Sequence, residues 1–244
     1  MPLAVIADIH GNLPALEAVL SDVARENVDL IVACGDVASG PLPAETIEVL
    51  RALPNARFVS GNADRGLVTA FDGERLTAWP GPAPDWSATQ LSRDQRDFLA
   101  SFSKTIELQV DGLGRVLFCH GSPRSDEEMM TSQTTDLRIQ EFTAGVAADV
   151  VVCGHTHMPF DRVVGRVRVV NPGSVGMPYG EPGAFWALLG PAIELRRTDY
   201  DREAAAARIR KSAWPGAEEF ASGNVLSVAT ADEAFAFFRA HGGP

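Results

Sequence analysis

Three short apolar runs alternate with two amphipathic stretches over the first 62 residues, and that alternation leaves few architectures open. Leu3 to Ala7, Leu30 to Cys34 and Phe58 to Ser60 are short, apolar and bounded by polar residues, so they read as buried strands. Between the first two, Leu13, Leu16, Leu20 and Val23 share one face of a helix that Asn12 can cap and whose first turn tolerates Pro14. Between the second and third, Pro43 opens a helix carrying Ile47, Leu50 and Leu53, and Pro54 closes it. Strand–helix–strand repeats give parallel strands, whose C-terminal ends gather along one edge.

A metal-ligand type of side chain stands at each of those ends. Asp8-Ile9-His10 follows the first strand, Asp36 the second and Asn62 the third. The pattern recurs downstream, where Arg115 to Cys119 runs into His120 and Val150 to Cys153 into His155-Thr156-His157. Four of the five histidines occupy these positions; His241 lies near the C-terminus and reads as solvated. Taken singly, an Asp-x-His, a Gly-Asp or a His-x-His is a weak signal, equally compatible with a hydrogen-bonded loop or with two imidazoles on opposite faces of a strand. Together they supply nitrogen and oxygen donors for two ions, a mixture that suits Mn, Fe, Zn or Ni better than Mg or Ca.

The rest of the chain reads more coarsely. Residues 65–104, with Trp79, Pro80, Pro82, Pro84 and Trp86 followed by a helix from Ser92 to Phe102, suggest a cap or excursion over the rim of the sheet. Ile106 to Val110 and Arg115 to Cys119 flank Asp111-Gly112-Leu113-Gly114, a hairpin signal. Residues 126–143 are expected to be helical. Val163-Val164, Val167 to Val170, Phe185 to Leu189 and Ile193 to Arg197 suggest a meander, and 201–212 and 231–240 two helices within a helical C-terminal segment at 201–244. The expectation is a single domain over 1–244.

Charge and cysteines narrow the partners and the compartment. The 244 residues carry 21 Lys and Arg against 32 Asp and Glu, a net charge of −11, which disfavours a nucleic-acid polymer as partner. A small phosphorylated substrate stays open, because bound cations reverse the field locally. No apolar run is long enough to span a bilayer, and the first residues lack the basic start of a signal peptide. Cys34, Cys119 and Cys153 each lie in an apolar run and read as reduced core residues, so the expected location is the cytoplasm. Nothing in the sequence fixes the oligomeric state.

Asp8-Ile9-His10-Gly11-Asn12, Gly35-Asp36-Val37, Gly61-Asn62-Ala63-Asp64, His120-Gly121 and Gly154-His155-Thr156-His157 follow one another as in calcineurin-like metallophosphoesterases, which the chain resembles over residues 8–157. His120-Gly121-Ser122-Pro123 and Asn171-Pro172-Gly173-Ser174 resemble the small prokaryotic phosphodiesterase branch. The resemblance implies an α/β fold of four layers, αββα, with two mixed β-sheets flanked by helices. It implies that Asp8, His10 and His157 hold one divalent ion, that Asn62, His120 and His155 complete a second, and that Asp36 bridges both. Mn²⁺ is the first expectation, with Fe, Zn or Ni as alternatives. Phosphoester hydrolysis by a hydroxide generated at the two ions follows, with Asp36, Asn62 and His10 as the catalytic residues.

One position departs from the family pattern. Many members carry a histidine after Gly-Asn to protonate the leaving oxygen, and here Ala63 stands in its place. A general acid contributes about 10²–10⁴-fold, most for poor leaving groups, so its loss favours aryl or nucleoside phosphodiesters and phosphoanhydrides. The functional expectation is therefore a phosphodiesterase for small or nucleotide-like substrates. A diadenosine polyphosphate hydrolase or a protein phosphatase is the alternative, and a non-catalytic metal-binding scaffold the reading from another class. Asn12, Arg65 and Arg124 are the candidate substrate-binding residues: Asn12 opens a helix N-terminus that suits an anion, while either arginine can grip a phosphate or sit in a surface ion pair. Asp64 can orient a ligand or cap the next turn, and Trp79 and Trp86 can stack on a base or pack the excursion.

Overall fold

The computed structural model describes residues 2–74 and 83–241. The chain begins β1 (Leu3–Ile6), α1 (Leu13–Val23), β2 (Leu30–Ala33), α2 (Pro43–Arg51), β3 (Ala56–Phe58) and α3 (Asn62–Phe71). It continues α4 (Ala83–Thr89), α5 (Arg93–Ala100), β4 (Ile106–Val110), β5 (Gly114–Phe118), α6 (Asp136–Phe142), β6 (Val150–Val152), β7 (Phe160–Val164), β8 (Val167–Asn171), β9 (Ala184–Leu189) and β10 (Ile193–Thr198). It closes with α7 (Arg202–Arg210), α8 (Ala217–Phe220), a π-helical turn (Ala221–Leu226) and α9 (Ala231–Ala240).

The strands form two mixed five-stranded sheets, ordered β10-β9-β1-β2-β3 and β4-β5-β6-β8-β7. Because side chains alternate along a strand, each sheet feeds two cores at once. Leu3 and Val5 of β1 meet Val116, Phe118, Val150 and Val152 of β5 and β6 between the sheets. Ala4 and Ile6 point outward, onto Leu13, Leu16 and Val19 of α1 and Ile47 and Leu50 of α2. On the far side Leu117, Val151 and Val169 pack against Ile139 and Phe142 of α6. This gives the αββα layering that the resemblance implies.

β1, β2 and β3 run parallel, as do β5, β6 and β8. The ends of β1, β2, β5 and β6 therefore open on one place between the sheets. Cys34 lies in the inter-sheet core and Cys119 and Cys153 in the outer one; all three thiols are free and buried. Burial pushes each of them well above its ordinary pKa, which keeps them unreactive. Among the described residues, no helix is long and apolar enough to cross a membrane.

Three elements differ from the sequence expectation. The Gly61-Asn62-Ala63-Asp64 stretch is already helical from Asn62, because Asp64 accepts the free Gly61 N–H across the first turn of α3 (3.0 Å). Leu67 of α3 and Leu91 and Leu99 further on join the core over β1 and β2. Only Asp136–Phe142 of 126–143 is helical: Ser122 accepts the Arg124 and Ser125 N–H groups and Thr131 the Gln133 N–H, local bonds that compete with a helix. The expected meander is two hairpins in different sheets, since β7–β8 belongs to one sheet and β9–β10 to the other. Trp79, Pro80 and Pro82 lie outside the described residues.

Candidate metal centre

Seven side chains meet where the parallel strands end. Asp8, His10 and His157 form one group and Asp36, His120 and His155 another, the donor atoms of each group lying within 4.8 Å of one another. Asp36 touches both groups: its Oδ2 lies 3.8 Å from His10 Nε2 and 3.3 Å from His120 Nε2. Asn62 joins through Oδ1, 3.0 Å from His120 Nε2. His10 and His157 point their Nε2 atoms at each other across 3.2 Å, and Asp8 Oδ1 lies 3.6 Å from His157 Nε2.

The backbone bends unfavourably to achieve this. Asp8, His10, Asp36, His155 and His157 all have positive φ, between 49° and 67°; among the described residues Asn27 is the one other non-glycine residue that does. The left-handed region costs an L-residue roughly 1–2 kcal/mol. Five such residues at five ligand positions mean that the fold holds strain where the side chains must turn inward, a pattern that marks functional sites.

Hydrogen bonds to backbone carbonyls fix the imidazoles. Nδ1 of His120 bonds Cys34 O (2.7 Å), that of His157 bonds Met177 O (2.8 Å), and that of His10 meets Ser39 O (3.3 Å). In the neutral imidazoles of His10 and His157, with Nδ1 donating its proton, Nε2 is left as a lone-pair donor facing the centre. The Asp8 carboxylate is held by the His155 N–H, 3.1 Å from both oxygens, and Asp36 Oδ1 accepts the Ala63 N–H at the start of α3 (2.8 Å).

The electrostatics fit a cation. Asp8, Asp36 and His120 are almost wholly buried, at 0%, 3% and 1% exposure, so two carboxylates are confined with little water. Burial, then like charges, lowers His155 to about 4 and holds His157 well below the usual histidine value, and burial lowers His10 against the attraction of Asp36. All three are thus neutral, ligand-competent imidazoles at neutral pH. Burial raises Asp36, yet the charge and hydrogen bond of His120, with His10 and His155, hold it well below the usual carboxylate range. Burial disfavours His120 as a cation, but Asp36 and Asp8 outweigh it and raise it to about 10. This donor set of carboxylates, an amide oxygen and oriented imidazoles suits two divalent ions of the nitrogen- and oxygen-loving kind.

Several residues that sequence reasoning treated lightly hold the centre together. Asp64 is buried and accepts the N–H groups of Asp36 (2.8 Å), Val37 (2.9 Å) and Gly61, so it both caps α3 and fixes Asp36. The segment after β8 is a strap: Ser174 Oγ donates to Asp8 O (2.6 Å), Gly176 N–H also donates to Asp8 O, and Met177 supplies the carbonyl for His157. Asn171 donates to Gly154 O (2.7 Å) and accepts the Gly173 N–H (2.8 Å), tying the strap to the His155 loop. The ordered Asn-Pro-Gly-Ser run was the one sequence signal of this role.

The candidate substrate-binding residues are all engaged with protein. Asn12 is fully buried, with Oδ1 accepting the Ala15 N–H and Nδ2 donating to Gly176 O. Arg65 pairs with Asp126 and Glu127 (both 2.8 Å), and Arg124 with Glu128 and Glu141 while lying over the Phe142 ring. Trp86 lies in α4 and is half-buried.

Gly61 offers a direct check on how closely the pieces fit. A Cβ there would overlap Asp36 Oδ1 and lie 2.6 Å from the Asp36 nitrogen. Gly61→Ala must therefore displace the Asp36 carboxylate, and kcat/KM is expected to fall about 100-fold, the effect of an ångström-scale misplacement. Steady-state kinetics alongside a melting curve checks this; unchanged kinetics in the folded variant would contradict the placement of Asp36.

The chain is similar to known proteins. The model of the calcineurin-like phosphoesterase superfamily domain matches residues 1–190. An uncharacterized protein of Methanocaldococcus jannaschii is 30% identical over 235 residues, covering 87% of this chain and 93% of its own. The phosphodiesterase YfcE of Escherichia coli is 29% identical over 199 residues, 78% of this chain and 87% of its own. The crystal structure of a metallophosphoesterase from Sphaerobacter thermophilus superposes with a TM-score of 0.74 at 28% identity, over 93% of this chain and 98% of that one. A chain that combines this domain with paired, buried ligand groups at the strand ends belongs to the calcineurin-like phosphoesterases, and it is a metal-dependent phosphoester hydrolase.

Proposed function

We propose that the chain is a dinuclear phosphodiesterase acting on small or nucleotide-like substrates. The observation that carries this reading is Asp36, whose Oδ2 stands between His10 of one ligand group and His120 of the other. Asp8, His10 and His157 would hold one divalent ion and Asn62, His120 and His155 the second, with Asp36 shared and manganese the first candidate metal. Bound there, the ions supply Lewis acidity toward phosphoryl oxygens and a source of hydroxide at neutral pH.

The protein's own part is orientation and charge. Asp36 and Asp8 fix the negative charge that retains the cations, and the carbonyl-anchored imidazoles keep the donor atoms aimed. Ala63 contributes its N–H to Asp36 and has no side chain with which to protonate a leaving group. That supports esters with good leaving oxygens, as in aryl or nucleoside diesters. The name of the Escherichia coli relative, a phosphodiesterase, supports the same class. Three buried reduced thiols support a cytoplasmic location, and the net charge of −11 supports a small substrate over a nucleic-acid polymer.

The test is hydrolysis of bis(p-nitrophenyl) phosphate and p-nitrophenyl phosphate by the metal-stripped chain after adding Mn²⁺, Ni²⁺, Zn²⁺ or Mg²⁺. Turnover is expected to return with the metal, most strongly with Mn²⁺, and to favour the diester. No turnover of either ester with two ions bound per chain would overturn the reading in favour of a scaffold.

A further inference from the structure

The strap that anchors Asp8 and His157 carries one more side chain to the centre. The Tyr179 ring stacks on His157, with centroids 5.3 Å apart and planes 16° from parallel. Phe238 of α9 meets it edge-on at 6.0 Å, and Met129, Met158 and Tyr179 all pack on the same α9 cluster. The next residue, Gly180, is tied to Ala229 O by its N–H (2.8 Å). The ring is therefore held in place from both sides.

Its hydroxyl is not used by the protein. Among the described residues no hydrogen bond to it is formed, and the buried side-chain polar atoms lacking a partner there are Arg196 Nε and Trp214 Nε1, so the Tyr179 hydroxyl reaches solvent. A tyrosine whose ring is stacked on a candidate metal ligand and whose hydroxyl is left free by the protein has the form of a ligand contact.

We propose that Tyr179 is a substrate-contacting residue whose hydroxyl donates a hydrogen bond to a phosphate oxygen of the ester on the His157 side of the centre. The inference rests on the phosphodiesterase reading above. No proton is transferred: the bond is a charge-assisted contact to a phosphate oxygen, strongest where negative charge builds up. It also gives α9 a function, since Phe238 positions the donor from a part of the chain far from the ligand motifs.

The experiment compares the metal-loaded wild type with Tyr179→Phe and Tyr179→Ala. Wild-type turnover of bis(p-nitrophenyl) phosphate is measured first, and its absence would sink the phosphodiesterase reading itself. Given turnover, Tyr179→Phe is expected to lower kcat/KM about 10–100-fold and to raise the inhibition constant of inorganic phosphate about 10-fold, as the loss of a hydrogen bond to a charged group requires. Its metal content and melting temperature stay at wild-type values, because the stacked ring remains. Wild-type turnover with both constants within about twofold in Tyr179→Phe would overturn this inference alone. So would loss of metal in Tyr179→Phe equal to that in Tyr179→Ala, which would make Tyr179 a packing residue for His157.

Discussion

Asp36→Asn is expected to abolish hydrolysis, lowering kcat by roughly 10³-fold or more, the scale set by removing charge that stabilises a transition state. The substitution is almost isosteric, and Oδ1 still accepts the Ala63 N–H, so the fold should persist. What changes is the other atom. Oδ2 faces Nε2 of His120 at 3.3 Å and of His10 at 3.8 Å, and an amide there removes the anion shared by both ligand groups. Metal content per chain should fall with activity. In the metal-free protein His120, which Asp36 raises to about 10 against burial, should lose its proton at lower pH, a change that NMR titration can follow. Wild-type turnover by a fully metallated Asp36→Asn variant would refute the assignment.

Asp64→Asn is expected to act one step removed, through position. Its carboxylate accepts three backbone N–H groups, those of Asp36 and Gly61 on Oδ2 and that of Val37 on Oδ1. An amide turns one of these oxygens into a donor, so at least one buried N–H loses its acceptor. That costs about 1–3 kcal/mol, a fall of several degrees in Tm for a chain of this size. Burial and the charge of Asp36 push the Asp64 pKa to about 7, while the N–H groups of Gly61 and Val37 favour the anion. Because these bonds set the loop that presents Asp36, metal affinity should fall about 10–100-fold, and excess metal should restore part of kcat. Unchanged Tm and metal affinity would show that Asp64 is only a helix cap.

The candidate ligand residues were legible because each follows an apolar run directly, and parallel strands send their ends to the same edge whatever else the chain does. The helices that start at Asn12 and Ser92 were legible for a local reason too. Their caps lie within three residues: Asn12 Oδ1 accepts the Ala15 N–H, and Ser92 exchanges bonds with Gln95. The helix at Asn62–Phe71 escaped because Gly-Asn-Ala-Asp reads as a turn until Asp64 is seen to take up the Gly61 N–H. Of the helix expected over 126–143, the part before Asp136 was lost to serine and threonine side chains that bond their own backbone.

Period-two patterning names a strand without naming its sheet, so β7–β8 and β9–β10 looked continuous while the chain crosses from one sheet to the other between them. The sequence alone determined the donor set, its order and the parallel core that gathers it, because these depend on residue type and local periodicity. Only the tertiary structure decided how far Asp36 lies from His10 and His120, that five of the candidate ligands sit at positive φ, and that Ser174, Met177 and Tyr179 arrive from a distant strap. Those are long-range contacts: left-handed backbone at Asp and His persists only where hydrogen bonds and packing from several segments hold it, and no local pattern encodes such partners.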